Sequence, residues 1–351
     1  GVDGVVIRRS DGDLFYPWST STPFHPEKTY NAFAVYAVME HGSDYKAAAS
    51  DLAQQGFGEQ RPATLAGQVL QERKRPQDEE EKWQAIMAKV RDTEWSVEKG
   101  WTVPPDVVRL NFGGKTYAVS GARMLGAVVG KQKAGKTIIT QALMAAGKSR
   151  EGVRNPLLFE NEIPGDYMYI DTEQSLGFYG YSMSLCHKMT GLSDCTNMDG
   201  VYAYNLRGLS SAQRIRAIDE LIGRNELGIL AIDGIRDLCR DINDWKETQE
   251  VMDMLQEWSE RCGGLMICHL HTTKGMNDQV RGALGTELQN KADWMLEAKY
   301  NKDLEVFTMG SRENRYGRHP ALEYRRLESG MPELVSGLPA NQEAVEDALP
   351  F

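Results

Sequence analysis

Between Leu125 and Thr137 the chain reads LGAVVGKQKAGKT: an apolar run, Gly130, four residues, then Gly135-Lys136-Thr137. This is a G-x-x-x-x-G-K-T phosphate loop, and each residue type in it has a physical task. The glycines let the backbone curl, so that N–H groups of Lys131, Gln132, Lys133, Ala134, Gly135, Lys136, Thr137 and Ile138 turn toward phosphate oxygens. Ile138–Ala146 reads as a helix that presents its positive end to the same anion. The ammonium of Lys136 suits the β- and γ-phosphates, and the hydroxyl of Thr137 suits Mg²⁺. The plain alternative is a glycine turn between a strand and a helix. The chemistry expected is binding of a nucleoside triphosphate.

Three further stretches carry groups that such chemistry needs. Asp166–Glu173, DYMYIDTE, alternates like a strand and ends in carboxylates. Leu227–Asp233, LGILAID, is a continuous apolar strand ending in Asp233, and Leu265–Leu270, LMICHL, delivers His269 and His271. In an open α/β sheet the ligand sits at the carboxyl ends of the strands, where all of these fall. Asp233 is expected to hold Mg²⁺, directly or through water. Glu173 is expected to polarise the attacking water, its plain alternative being a helix N-terminal charge. His269 and His271 are expected at the nucleotide, against the alternative of satisfied core histidines.

Those residues need a sheet to position them. From about Val107 to Leu334 strands alternate with helical patterns, which predicts an α/β fold with a mostly parallel sheet flanked by helices. We divide the chain into a small N-terminal α+β or helical unit (1–61), a helical linker rich in Gln, Glu, Lys and Arg (62–105), a nucleotide-binding core (106–335) and a polar, flexible tail (336–351). Helices are expected at about Ala32–Glu40 and Tyr45–Gln55. With Gly1 rather than Met in first place, a processed or trimmed start is expected.

Composition narrows the partners. The chain has 351 residues and a formal net charge of −10. Proteins that coat nucleic acid with an outer face are normally basic, so DNA is expected only at local inner loops. No apolar run approaches the ~20 residues of a membrane helix, which predicts a cytoplasmic protein away from membranes. Five cysteines (Cys186, Cys195, Cys239, Cys262, Cys268) form no C-x-x-C pair, against a disulfide framework or a structural zinc site.

In that order, GKQKAGKT, IDTE, LAID and CHLHTTKG resemble the RecA-like ATPases. Asp233-Gly234, rather than Asp-Glu, is the pattern of that family, whose water-activating glutamate lies on the strand after the phosphate-loop helix. Within it the segments are similar to hexameric replicative helicases of the DnaB and plasmid RepA type and their relatives on plasmids, phages and transposons. The resemblance covers about residues 107–330. It implies an ATP- and Mg²⁺-dependent motor, a homo-oligomer that is hexameric in those helicases, and partners such as single-stranded DNA, a primase or other replication proteins. VFTMGSRENRYG (Val306–Gly317) resembles the segment ending K-x-R-x-G whose basic residues reach a neighbour's nucleotide. That implies a role in trans for Arg315, although Glu313 stands where the lysine would be.

Thr22–Thr29, TPFHPEKT, with the following YAVMEHGSDY is similar to part of a primase zinc-finger domain. Thr22 replaces the first ligand cysteine and no second pair follows, so His25 cannot hold zinc alone. The unit reads either as a remnant of a primase–helicase polypeptide or as a small helical domain. Two other patterns are set aside. Asn290-Lys291-Ala292-Asp293 spells the guanine-reading N-K-x-D but sits in helical spacing, which favours ATP. Arg214, Arg216 and Arg224 read as a solvated helix face rather than a phosphate patch.

Nucleic acid is expected at two loops, Ile235–Lys246 and Thr272–Gly285. The first carries Trp245 as a stacking platform with Arg236, Arg240 and Lys246; the second carries Lys274 and Arg281. The competing class is a regulatory or scaffolding ATPase of the same fold, whose nucleotide state controls assembly without unwinding. A small-molecule phosphotransferase would need an Arg-rich lid, and no compact segment has that composition.

Overall fold

The computed structural model describes residues 4–7, 14–26, 28–57, 79–99, 105–223, 227–273 and 279–335. The chain divides into two compact units, Gly1–Ala63 and Thr64–Phe351. In the first, β1 (Gly4–Ile7), β2 (Leu14–Pro17) and β3 (Tyr30–Asn31) form an antiparallel sheet, followed by α1 (Ala32–His41) and α2 (Tyr45–Gln54). Both helices start where a side chain replaces a missing acceptor: Asn31 accepts the Ala34 N–H at 2.8 Å, and Asp44 accepts those of Lys46 and Ala47. Phe24 packs edge-on against Phe15 and Tyr30, with centroids 5.0 Å apart in each pair. The His25 ring donates from Nδ1 to the Pro26 carbonyl at 2.6 Å, turned into its own loop.

The second unit begins, among described residues, with α3 (Glu79–Asp92), which exposes Trp83, Ile86 and Val90. The rest of the expected linker lies partly in 62–78 and 100–104, outside the described residues, as does the expected tail 336–351. Next come β4 (Asp106–Phe112) and β5 (Lys115–Gly121), then β6 (Met124–Gly130) running into α4 (Lys136–Ala146). They are followed by β7 (Phe159–Asn161), β8 (Asp166–Asp171), α5 (Leu176–Met189), β9 (Val201–Asn205) and α6 (Ser211–Ile222). β10 (Leu227–Asp233), α7 (Trp245–Cys262), β11 (Leu265–His271) and α8 (Gly282–Lys291) complete the alternation. β12 (Trp294–Asn301), β13 (Val306–Asn314), β14 (Leu322–Arg326) and β15 (Pro332–Leu334) close the unit.

Nine of these strands make one sheet, in the order β15-β14-β13-β12-β6-β11-β10-β8-β9. From β12 to β9 every pairing is parallel; β12 to β15 pair antiparallel. The fold is therefore the expected α/β arrangement, a mostly parallel sheet with helices. The strand period of two explains why the central strands read as unbroken apolar runs: both faces are covered. Tyr167, Tyr169, Ile229, Ala231, Leu265 and Ile267 pack into one core, and their neighbours Met168, Ile170, Leu230, Ile232, Met266 and Cys268 into the other.

One part departs from simple alternation. β5-β4-β7 form a separate antiparallel sheet, entered through a hairpin at Gly113-Gly114, both with positive φ (61° and 76°). A Gly-Gly pair between apolar runs is a hairpin signal. Among the described residues no helix is long and apolar enough to cross a membrane. All five cysteines are free thiols, four buried and Cys195 exposed.

Candidate functional site

β6 ends at Gly130, where the strand alongside comes close: a Cβ on Gly130 would strike the Ala298 carbonyl of β12. The chain then turns through Lys131, Gln132 and Lys133, all exposed, and tucks Ala134, Gly135 and Lys136 inside. Two residues take left-handed backbone, Lys133 (φ 63°) and Gly135 (φ 99°). At Gly135 the absent side chain also matters, because Tyr324 Oη and Phe307 fill the space a Cβ would need. Gly135 starts α4, and the Ile139 N–H returns to its carbonyl at 3.3 Å. The loop thus aims a helix N-terminus at its own concavity.

The Lys136 ammonium lies largely out of water. It donates to the Gly130 and Lys131 carbonyls, both at 3.1 Å, and to His271 Nδ1 at 3.0 Å. Burial pushes its pKa below the usual lysine range, while the Asp233 and Glu173 carboxylates resist that shift. Since Nδ1 accepts, His271 carries its proton on Nε2, which points at Glu173 Oε2, 3.2 Å away. Lys136, His271 and Glu173 are one hydrogen-bonded chain.

Thr137 Oγ1 donates to Asp233 Oδ2 at 2.6 Å, and buried Tyr169 donates to the same oxygen at 2.8 Å. On the other carboxylate oxygen, His269 Nδ1 approaches Oδ1 to 2.8 Å, out of line for a good hydrogen bond and therefore an electrostatic contact. Burial alone would raise the Asp233 pKa. The close approach of the His269 ring at Oδ1, with hydrogen bonds from Thr137 and Tyr169 at Oδ2, outweighs it and holds the carboxyl well below the usual range. A threonine hydroxyl beside an ionised carboxylate is a hard oxygen pair, and it fits Mg²⁺ that keeps several waters.

Glu173 is placed by Asp171. The Asp171 Oδ1 accepts the N–H groups of Glu173 (3.0 Å) and Gln174 (2.8 Å), and Oδ2 accepts Gln174 Nε2 at 2.7 Å. Burial pushes the Asp171 carboxyl up to about 6 against those hydrogen bonds. The Thr172 N–H and hydroxyl bind the Asp233 carbonyl at 2.7 and 3.3 Å, tying the ends of β8 and β10 together. A Cβ at 234 would run into Glu173 Oε1, so any larger residue there would push the Glu173 carboxylate from this position.

Of the residues expected at the site, Lys136, Thr137, Glu173, Asp233 and His271 converge at the carboxyl ends of β6, β8, β10 and β11. His269 does not face the phosphate loop. It is buried behind Asp233, with Nε2 2.6 Å from Thr140 Oγ1, because a strand residue two positions from His271 lies one pleat deeper. Arg315 lies at the other end of the sheet: β12 pairs Ala298 with Gly130 but Trp294 with Gly126, and β13 ends opposite Trp294. There its Nε donates to Asp293 Oδ1 at 2.7 Å, while Asp293 Oδ2 accepts the Leu125 N–H at 3.0 Å. The aspartate of the N-K-x-D lookalike is thus a strand anchor. Arg214 is not on a solvated face either. Its guanidinium donates to the carbonyls of Leu206, Arg207 and Asp237, stapling the loop after β10; Arg224 lies outside the described residues.

The two expected nucleic-acid loops meet. The Leu284 N–H donates to the Ile242 carbonyl at 3.2 Å, and Gly282 leaves room for Ile242. Trp245, 62% exposed, opens α7 beside this junction, and Arg281 is exposed on it. Lys274 lies outside the described residues. The first loop is built rather than slack: Glu247 accepts the N–H groups of Arg240 (3.1 Å) and Asp241 (3.0 Å) over buried Ile235, Leu238 and Ile242. Beside the phosphate loop, Tyr300, Phe307 and Tyr324 stack across β12–β14 with centroids 4.4 and 5.3 Å apart, and Arg326 lies over Phe307.

Tyr169, Thr140, Asp171, Arg214 and Asp293 had no site role in the sequence reading. Only Asp171, two residues before Glu173 at a strand end, carried a local signal, that of an Asx turn.

No protein-family model and no curated protein sequence matches the chain. Among solved structures the chain is similar to the crystal structure of the RadB recombinase, at 14% identity and a TM-score of 0.44, over 61% of this chain and 92% of that one.

Proposed function

We propose that the chain is an ATPase of the RecA-like class, with ATP and Mg²⁺ as its ligands, that couples hydrolysis to a hold on single-stranded DNA in replication of a plasmid, phage or transposon. The observation that carries this reading is the convergence of a phosphate-loop lysine, a Thr137–Asp233 oxygen pair and the Glu173 carboxylate, linked to that lysine through His271, at one sheet edge. Mg²⁺, when bound, supplies positive charge to the phosphate oxygens. Loop N–H groups and the Lys136 ammonium bind the phosphates. Glu173, held by the Asp171 turn, takes a proton from water at Oε1 or Oε2. His271 joins Lys136 to Glu173, so a phosphate that draws Lys136 away from Nδ1 is felt at the carboxylate. The ring also heads the strand that leads into the second loop, since the Arg281 N–H donates to the His271 carbonyl at 3.1 Å.

The strand-binding half of the proposal rests on Trp245 and Arg281 lying on two joined loops next to that ring. Lys274 belongs to the same expected surface, and Arg315 is assigned to a neighbouring subunit's site, in a homo-oligomer. Steady-state ATP hydrolysis by the full chain, with and without oligo-dT over a salt series, tests both halves. No hydrolysis under any condition overturns the ATPase. Hydrolysis without salt-dependent strand binding removes the DNA motor and leaves nucleotide-governed assembly.

A further inference from the structure

Asp233 has an unusual back wall. Its Oδ2 is taken by two hydroxyls, from Thr137 at 2.6 Å and Tyr169 at 2.8 Å, and its Oδ1 faces the ring of His269 at 2.8 Å. The ring is 1% exposed, so it cannot itself reach a ligand, and its other nitrogen is 2.6 Å from Thr140 Oγ1. Thr140 stands on α4, the helix that begins with the phosphate loop, one turn after Thr137. A strand from the middle of the sheet and a helix behind the loop therefore clamp the same imidazole. A buried histidine hydrogen-bonded at Nε2 and set against a carboxylate at Nδ1 has one orientation.

We propose that His269 is a positioning residue for Asp233, fixing the plane of its carboxylate for Mg²⁺ through the Nδ1 side of the ring while Thr140 holds the Nε2 side. This rests on the reading of Thr137 and Asp233 as the Mg²⁺ pair. The clamp acts on metal affinity and leaves the phosphate cradle alone, because neither His269 nor Thr140 faces the loop's concavity.

Two substitutions separate the two nitrogens. In His269→Asn the amide nitrogen takes the place of Nδ1 and keeps the contact with Asp233. In His269→Gln it takes the place of Nε2 and keeps only the contact with Thr140. The readouts are the Mg²⁺ concentration giving half of the thermal upshift in the presence of ADP, and the affinity for a fluorescent ATP analogue in EDTA. His269→Asn, which loses only the Thr140 hold, should raise the parent's Mg²⁺ midpoint severalfold, and His269→Gln, which loses the Asp233 contact, should need tenfold or more. Nucleotide affinity in EDTA should be unchanged in both. Equal midpoints in the two variants, or the reverse order, overturn the proposal, because a ring that merely fills space would make no such distinction. Should either variant fail to fold, Thr140→Val loosens the ring from the far side and should raise the midpoint severalfold; an unmoved midpoint there overturns the proposal too. A parent that binds no nucleotide at any Mg²⁺ concentration instead sinks the phosphate-loop reading beneath it.

Discussion

Lys136 keeps an ammonium out of water with two carbonyls and an imidazole, so its loss removes both a charge and the partner of three acceptors. Lys136→Ala should abolish nucleotide binding in a fluorescence titration, since Lys136 is the buried ammonium of the loop, Lys131 and Lys133 being exposed. Glu173→Gln keeps the shape and the backbone bonds that place it, but cannot accept a proton. It should bind ATP like the parent and lower turnover by ~10²–10⁴-fold; a loss under tenfold in single-turnover assays would reassign the base. Asp171 has a pH signature of its own. Its folded pKa, about 6, lies above the ordinary aspartate value, so the native state holds the proton more tightly than the unfolded chain. Its contribution is fully present below pH ~4 and is lost as pH rises through ~6. Asp171→Asn keeps an acceptor for the Glu173 and Gln174 N–H groups and cannot ionise. The difference in Tm between variant and parent should therefore grow in the variant's favour from pH 4 to 6 and then level off. A flat difference across that range would mean that Asp171 is not so perturbed.

At the scale of elements, the strands that carry the site were legible because burial on both faces makes LGILAID and LMICHL unbroken apolar runs, with the polar residue standing where the strand meets solvent. The helix limits at Ala32 and Tyr45 were legible for a local reason too, since Asn31 and Asp44 cap them. What was not legible depends on contacts far apart in sequence. Nothing near Arg214 says that it will reach the carbonyl of Asp237, and nothing near Asp293 says that it will hold Leu125. His269 and His271 look equivalent in CHLH; only the depth of the sheet separates a ring behind Asp233 from one between Lys136 and Glu173. The joined loops after β10 and β11 give the prediction at this scale. Trp245→Ala should weaken oligo-dT binding by about 1–3 kcal/mol if a base stacks there. Lys274→Ala with Arg281→Ala should weaken it and flatten its salt dependence, because each lost phosphate contact leaves counterions in place. Unchanged affinity and slope in a salt-series titration would move the strand elsewhere.

For the molecule as a whole, the distance between the phosphate loop and Arg315 sets the terms. At opposite ends of one sheet, the two cannot share a nucleotide within a subunit. Arg315→Ala should leave ATP binding nearly intact and lower turnover only in the assembled protein. Mixing it with Glu173→Gln subunits should restore part of the activity, since one class of interface then holds both intact groups; co-assembled mixtures without rescue would make Arg315 a strut for Asp293. That strut has a mechanical side. β6 is a tie rod about 20 Å long, with the phosphate loop at one end and, at the other, a carboxylate that also grips the turn bearing Arg315. A load placed on that turn by anything that seizes it arrives at the nucleotide as tension along a hydrogen-bonded strand, with no slack loop between. Asp293→Ala would cut the rod at its anchorage while leaving every group that faces the phosphates in place: ATP affinity of the single subunit should hold, and the stimulation of hydrolysis by assembly or by oligo-dT should fall.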